Sequence, residues 1–259
     1  MTGPLYRQIA DQLRHRIESG DLKAGMKIPK DDELMKEFVA SKNTVRDALD
    51  ELTRRGLVYK SRGKGTFVAR RVQPIVITLT SDPETGRGGG EGRVYAMEVV
   101  ASGRDPQMGK IEVKLEQSNP KIAELLQIQD DADVVVRHEP GFVDGLPWQL
   151  QYSYYPRDLA ARAPRLLETG NIEEGAVAYL ASLGINQLGY RDEIEWRAPD
   201  ETETAYFDLP ADGHIQVVEI RRIAFDQVGS RIRVTVTIWR ADRNQFVINV
   251  GRVPESSAS

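Results

Sequence analysis

An α+β chain in two domains is what the sequence predicts, and three observations carry that expectation. The first 70 residues read as three helices followed by a β-hairpin. Beyond about residue 94, strands and helices alternate and end in long runs of alternating apolar residues. Charge is segregated along the chain. Residues 1–72 hold sixteen Lys and Arg against ten Asp and Glu, and the remainder holds nineteen against twenty-nine. The net charge of −4 therefore conceals a basic head on an acidic body, the distribution expected of a nucleic-acid-binding module joined to something else.

Residues 5–19 carry Tyr6, Ile9, Leu13 and Ile17 at three- and four-residue steps, the period of an amphipathic helix, and Gly20 offers a left-handed stop. A turn through Gly25 and Pro29 leads to a short helix with Leu34, Met35 and Phe38 on its apolar side, capped by Asp31 or Asp32. Ser41 is the expected cap of a third helix, whose Val45, Ala48, Leu49 and Leu52 face inward until Gly56 ends it. Leu57–Tyr59 and Thr66–Val68 then form a hairpin with a basic, glycine-bearing tip.

This order predicts a winged helix-turn-helix with the third helix in the major groove of double-stranded DNA. Lys42, Asn43, Thr44 and Arg46 stand on its outward positions, and an arginine there can pair bidentately with guanine. Arg62, Lys64 and Gly65 at the hairpin tip let charge and backbone approach a phosphate. Arg7 and Lys30 complete the candidate DNA-binding set. The runs Tyr6-Arg7-Gln8-Ile9-Ala10, Gly25-Met26-Lys27-Ile28-Pro29, Ser41-Lys42-Asn43-Thr44-Val45-Arg46-Asp47-Ala48-Leu49 and Gly63-Lys64-Gly65-Thr66-Phe67-Val68 resemble the GntR-type winged helix. That resemblance implies that Ser41, Lys42, Thr44, Arg46 and Gly65 lie against operator DNA. Lys30 stands where a small residue is common, and Lys42 where arginine is frequent. Both keep or add positive charge.

Residues 71–93 read as a linker. They contain a short apolar run, Ile75–Leu79, and then Gly88-Gly89-Gly90-Glu91-Gly92. Neither a P-loop nor a strand–GxGxxG–helix context surrounds these glycines, so a mobile loop is expected rather than a nucleotide site. In the second domain, residues 94–253, strands are expected at Val94–Val100, Ile111–Gln117, Val134–Glu139, Trp148–Tyr155, Val217–Phe225, Ile232–Arg240 and Phe246–Val253. Asp144-Gly145 marks a hairpin turn. Helices are expected at Pro120–Leu126, Leu159–Leu167 and Ala176–Leu183, and after the capping box of Asp200 and Glu203. The expected architecture is a curved antiparallel sheet with helices on one side, followed by a disordered tail over 254–259.

Val136-Arg137, Val143-Asp144-Gly145-Leu146-Pro147 and Gln149-Leu150-Gln151-Tyr152-Ser153-Tyr154-Tyr155-Pro156 resemble the UTRA effector domain of the HutC subfamily, a fold related to chorismate lyase. Tyr190, Glu193 to Arg197, Pro199, Glu203, Leu209-Pro210 and Arg222 extend the likeness. It implies an effector cleft lined by Arg137, Gln149, Gln151, Ser153 and Glu195, with Glu139, Tyr155 and Tyr190 as further candidates. An arginine can clamp an anionic oxygen while amides and a hydroxyl orient the rest of a small molecule. Glu139 stands where sugar-phosphate-sensing relatives carry a second basic residue, which weakens the case for a phosphosugar.

The function expected is a transcriptional regulator, a repressor that binds a palindromic operator as a homodimer and is released by a small, anionic effector. A ligand-independent DNA-binding repressor is the alternative, with a lyase-like enzyme as a more distant one. The chain has no cysteine, which excludes disulfides, thiolate metal sites and a cysteine nucleophile. Its three histidines, His15, His138 and His214, fall in no HExxH pattern, and GxSxG is absent, so no catalytic residue, metal or cofactor is expected. No run of about 18 apolar residues occurs, and the first residues reach charge quickly, so a cytoplasmic, nucleoid-associated protein is expected.

Overall fold

A computed structural model describes residues 3–61, 65–69, 74–81, 89–209, 215–251 and 253. The chain divides into two compact units, residues 1–73 with 199–215, and residues 74–198 with 216–259. Arg62, Lys64, His214 and the expected tail lie outside the described residues.

In the first unit, α1 (Leu5–Glu18) buries Ile9, Ala10 and Leu13, and Gly20 follows with φ of +85°. The cap of α2 (Asp31–Glu37) is Lys30, not Asp31 or Asp32: its N–H donates to Glu33 Oε2 at 2.8 Å. The acidic run is thereby moved into the first turn, where the helix dipole favours carboxylates. Ser41 caps α3 (Lys42–Arg54) by accepting from the Thr44 N–H at 3.2 Å. Val45, Ala48, Leu49 and Leu52 of α3 are buried against Ile9, Leu13, Leu34 and Val68 in one apolar cluster. β1 (Val58–Ser61) and β2 (Gly65–Val68) pair antiparallel. The turn before α2 is sewn to this hairpin, with Ile28 N–H on Thr66 O and Val68 N–H on Met26 O, both at 2.8 Å.

The second unit opens with β3 (Ile75–Thr78) and α4 (Gly92–Ala101). It continues through β4 (Pro106–Met108), β5 (Glu112–Gln117), α5 (Pro120–Leu126), β6 (Asp133–Val143) and β7 (Leu146–Pro156). Next come α6 (Arg157–Arg162), α7 (Ala176–Ser182) and β8 (Gln187–Arg197). The segment that leaves the sheet between β8 and β9 carries α8 (Glu201–Tyr206), which groups with the first unit. β9 (Val217–Asp226), β10 (Arg231–Arg240) and β11 (Asn244–Val247) complete the order. The main sheet runs β4–β6–β7–β10–β9–β8, with β5 also on β6, and every pairing in it is antiparallel.

In the second unit further expectations change. Val94–Val100 is helix, not strand: Tyr95 and Val99 are buried one turn apart, and packing outweighs the preference of β-branched residues for strands. Part of the expected linker is ordered, since Ile75–Thr78 pairs parallel with β11, which takes the last strand out of the antiparallel sheet. Gly89 and Gly90 are buried rather than in a mobile loop, and Gly90, at φ of +63°, leaves a Cβ only 3.1 Å from Leu79. Pro164 breaks the helix expected over 159–167 into α6 and a 3-10 turn, Pro164–Leu167. Finally, helices cover both sheet faces. Leu159, Leu166 and Leu180 pack with Val135, Tyr155 and Ala224, whereas Ile122, Leu125 and Leu126 of α5 pack with Val134, Val136 and Val234.

The hairpin of β6 and β7 turns at Asp144-Gly145 as expected, with φ of +51° and +72°, and the capping box of Asp200 and Glu203 closes with bonds of 2.7 and 2.9 Å.

Candidate functional site

Two sites of opposite character emerge. In the first unit, the apolar stripe of α3 is consumed by the core, which forces its polar side outward: Lys42, Asn43 and Arg46 are exposed. Thr44 is half-buried, and its hydroxyl lies 2.8 Å from that of Ser41, so this pair first fixes the start of the helix. Arg7 and Lys30 are also exposed. A cleft of about 390 Å³ runs between the hairpin and the starts of α2 and α3, lined by Lys27, Lys30, Lys42, Gly65 and Thr66 among others. Gly65 sits there at φ of +113°, a backbone conformation that residues with a side chain adopt only under strain. Lys27, exposed and with its ammonium 5.9 Å from the Phe67 ring centre, adds a cation that the sequence reading had not selected.

In the second unit the strand register gathers polar residues on one buried sheet face. Arg137, Ser153, Thr235, Arg222 and Asp192 are successive cross-strand partners, one on each of five strands. Glu139, Gln151 and Thr237 form the adjoining row. Arg137 is 1% exposed, and its guanidinium donates to the carbonyls of Leu166, Glu168 and Gly170 at 3.3, 2.9 and 2.6 Å. Its Nε lies 3.4 Å from Glu139 Oε1, and Gln151 donates to the other oxygen of Glu139 at 3.0 Å. Burial raises the Glu139 pKa above its usual range, against the pull of Arg137. Ser153 and Thr235 hydroxyls are 3.4 Å apart.

At the other end of the row, Arg222 grips Asp192 with two bonds of 2.7 and 2.6 Å and lies over the Tyr190 ring at 3.7 Å. It also meets Glu91 at 3.3 Å and the Gly89 carbonyl. Arg233 reaches the same Glu91 oxygen at 2.8 Å and Gln187 at 3.3 Å. Burial pushes the Glu91 carboxyl upward, but Arg233 and then Arg222 outweigh it and hold its pKa below the ordinary value. Tyr190 donates its hydroxyl to Leu79 O at 2.5 Å and accepts from Ser81 N–H at 2.9 Å. Tyr155 is fully buried, and burial raises its pKa. A cavity of about 410 Å³ opens beside Gly170, lined by Met108, Gly109, Lys110, Ile111, Thr169 and Asn171.

The register thus brings together Arg137, Glu139, Gln149, Gln151, Ser153, Tyr155 and Tyr190 on one face, but not Glu195. That residue lies on the opposite face, exposed and paired with Arg221, because side chains alternate along a strand and the inward acid of β8 is Asp192. Sequence reasoning missed Asp192, Glu91, Arg233 and Thr235, and took Arg222 only as a family marker. The signal was present in Ile232-Arg233-Val234-Thr235-Val236-Thr237, where both alternating sets fall in a strand covered on two sides.

Residues 5–68 match the family model described as bacterial regulatory proteins, gntR family, and residues 101–245 match that of the UTRA domain. The chain is 25% identical over 251 residues to the HTH-type transcriptional repressor NagR of Bacillus subtilis, covering 96% of each. Over 82 residues, 31% of this chain and 34% of the relative, it is 43% identical to the mannosyl-D-glycerate transport/metabolism system repressor MngR of Escherichia coli. The crystal structure of PhnF from Mycobacterium smegmatis superimposes with a TM-score of 0.57 at 25% identity, covering 94% of this chain and 99% of that one.

Proposed function

Because this chain belongs to the GntR family of bacterial regulatory proteins and carries a UTRA domain, we propose that it is a repressor that binds a palindromic operator as a homodimer and releases it when a small molecule binds the second domain. The observation that carries the reading is the third helix, held by the Ser41 cap and a full apolar stripe, with Lys42, Asn43 and Arg46 exposed. Arg46 reads base edges, while Lys42, Lys30 and Arg7 meet phosphates, and the hairpin tip with Arg62, Lys64 and Gly65 follows the backbone. The repressor names of NagR and MngR support the direction of control.

Two subunits joined through residues 94–253 present two recognition helices to successive half-sites. The effector need only bind the released arrangement more tightly than the operator-bound one. Its site is the polar row from Arg137 to Asp192, with Gln149, Gln151 and Ser153 as orienting groups.

The test is fluorescence anisotropy of the full chain against DNA from the upstream region of its own gene, titrated over salt. Binding that is at least about a thousandfold tighter than to random DNA, with a steep salt slope, is expected. Equal affinity for both sequences overturns the operator reading for that region, and binding to neither overturns the DNA reading. A second reading, repression without a ligand, is favoured by one observation: Arg137 already spends its donors on three carbonyls and Glu139.

A further inference from the structure

Three features make Glu91 unusual. It is the N-cap residue of α4, yet its carboxylate makes no capping bond to the helix. Instead it turns onto the sheet and takes one bond from each of two buried arginines, at 3.3 Å from Arg222 and 2.8 Å from Arg233. Those arginines stand on neighbouring strands and are 4% and 6% exposed. Arg222 has a second carboxylate, Asp192, which is fixed to the sheet. Among the described residues Glu91 is the carboxylate that Arg233 meets within ion-pair distance, with Glu139 acting on it from farther away and Tyr155 and Gln187 as neutral partners, and its Nε is buried without a hydrogen-bond partner.

A buried guanidinium needs a counter-charge. Here that charge is supplied by Glu91, the residue that precedes α4 and belongs to no strand of the sheet. The arrangement has the chemistry of an arginine pair holding a carboxylate ligand, with the ligand tethered to the chain.

We propose that Arg222 and Arg233 form an oxyanion seat that Glu91 fills from within the chain, and that an effector bearing a carboxylate enters by taking its place. The idea rests on the effector reading above and adds the ligand class and the contact that is broken. Loss of Glu91 from the seat frees the start of α4, which lies against β3, the strand that directly follows the DNA-binding unit in the chain. Ligand charge is thereby coupled to the segment joining sensor and DNA binder. Competition with a tethered carboxylate also raises the affinity an effector needs, which selects against weak, abundant anions.

The experiment is chemical rescue in the full-length chain. Glu91→Ala empties the seat, and Glu91→Gln keeps its volume without the charge. Thermal unfolding of both, and of wild type, is followed in sodium formate, sodium phosphate and sodium chloride at equal ionic strength. Formate should raise the Tm of Glu91→Ala by about 3 °C more than chloride does. Glu91→Gln should gain less, each gain being counted in excess of the general salt effect that wild type shows in the same salt. A formate effect equal in all three proteins, or absent from both variants, overturns the seat. A rise in Glu91→Ala, in excess of that in wild type, that is larger in phosphate than in formate overturns the carboxylate assignment in favour of a tetrahedral oxyanion. Should Glu91→Ala not fold, Glu91→Gln alone decides between these results. Because the readout needs no DNA, failure of the operator reading leaves it intact, and failure of the rescue leaves operator binding untouched.

Discussion

The two arginine-rich regions of this protein solve opposite problems. On α3, Arg46 and Lys42 are exposed, Lys42 beside a cleft that Lys27 and Lys30 also line, and on the function proposed above their charge is left for DNA. On the sheet, Arg137, Arg222 and Arg233 are almost wholly buried, and each is met by carbonyls or carboxylates of the chain itself. The same residue type therefore faces solvent in one unit and holds internal order in the other. Exposure decides which, because a cation in water can wait for its partner and a cation in a core cannot.

The largest effect that would break this contrast comes from the sheet. Arg222→Leu strands Asp192 and half of the support of Glu91, and should cost about 3–5 kcal/mol, since removing one member of a buried pair leaves the other uncompensated. Denaturant unfolding measures it. A loss near zero would mean that water reaches the network. Arg46→Ala should do the reverse, costing about 1–3 kcal/mol in operator binding while unfolding stays as in wild type. Anisotropy and unfolding together check it, and full operator affinity would remove Arg46 from the contact set.

A smaller effect sharpens the comparison from the turn between α2 and α3. Val39 is 89% exposed with φ of +48°, a conformation that a β-branched residue adopts only at a cost. Val39→Gly should stabilise the first unit by about 0.5–1 kcal/mol, relief of strain exceeding the added freedom of the unfolded chain. A lower unfolding midpoint would contradict this.

The pH dependence should separate two carboxylates on one sheet face. Glu91 has a pKa held below its ordinary 4.5, so its stabilisation is present above that pH and is lost as pH falls through the lowered value. The stability gap between wild type and Glu91→Gln should close towards acid. Glu139 is raised above 4.5, so its contribution is present below that pH and is lost as pH rises through the raised value. Glu139→Gln should accordingly gain on wild type as pH rises from 4.5. Urea unfolding between acid and neutral pH reads both slopes, and slopes of the same sign would overturn the contrast.

The DNA-binding unit was legible almost residue by residue in the sequence. Its helices are short and amphipathic, and their caps and stops are local: Ser41 needs only Thr44, and Gly20 only its own backbone. Exposure on α3 then follows from the 3.6-residue period. The second unit was legible as alternation but not as pairing. Arg137, Gln151 and Ser153 were singled out by the resemblance to the UTRA domain, and the strand register puts all three on one face. The sequence reading also took Glu195 for an inward residue where Asp192 serves, missing β8 as a strand altogether, and it read α4 as a strand.

What the sequence by itself determined is the order of elements in the first 70 residues, the charge division between the two halves and the face of α3 that meets solvent. These depend on contacts within a few residues. Only the tertiary structure decided that Glu91 closes on Arg222 and Arg233, and that Arg137 is held by the 166–170 segment. Those partners lie far apart along the chain, and their meeting depends on strand register and on packing against both sheet faces, neither of which local propensity encodes.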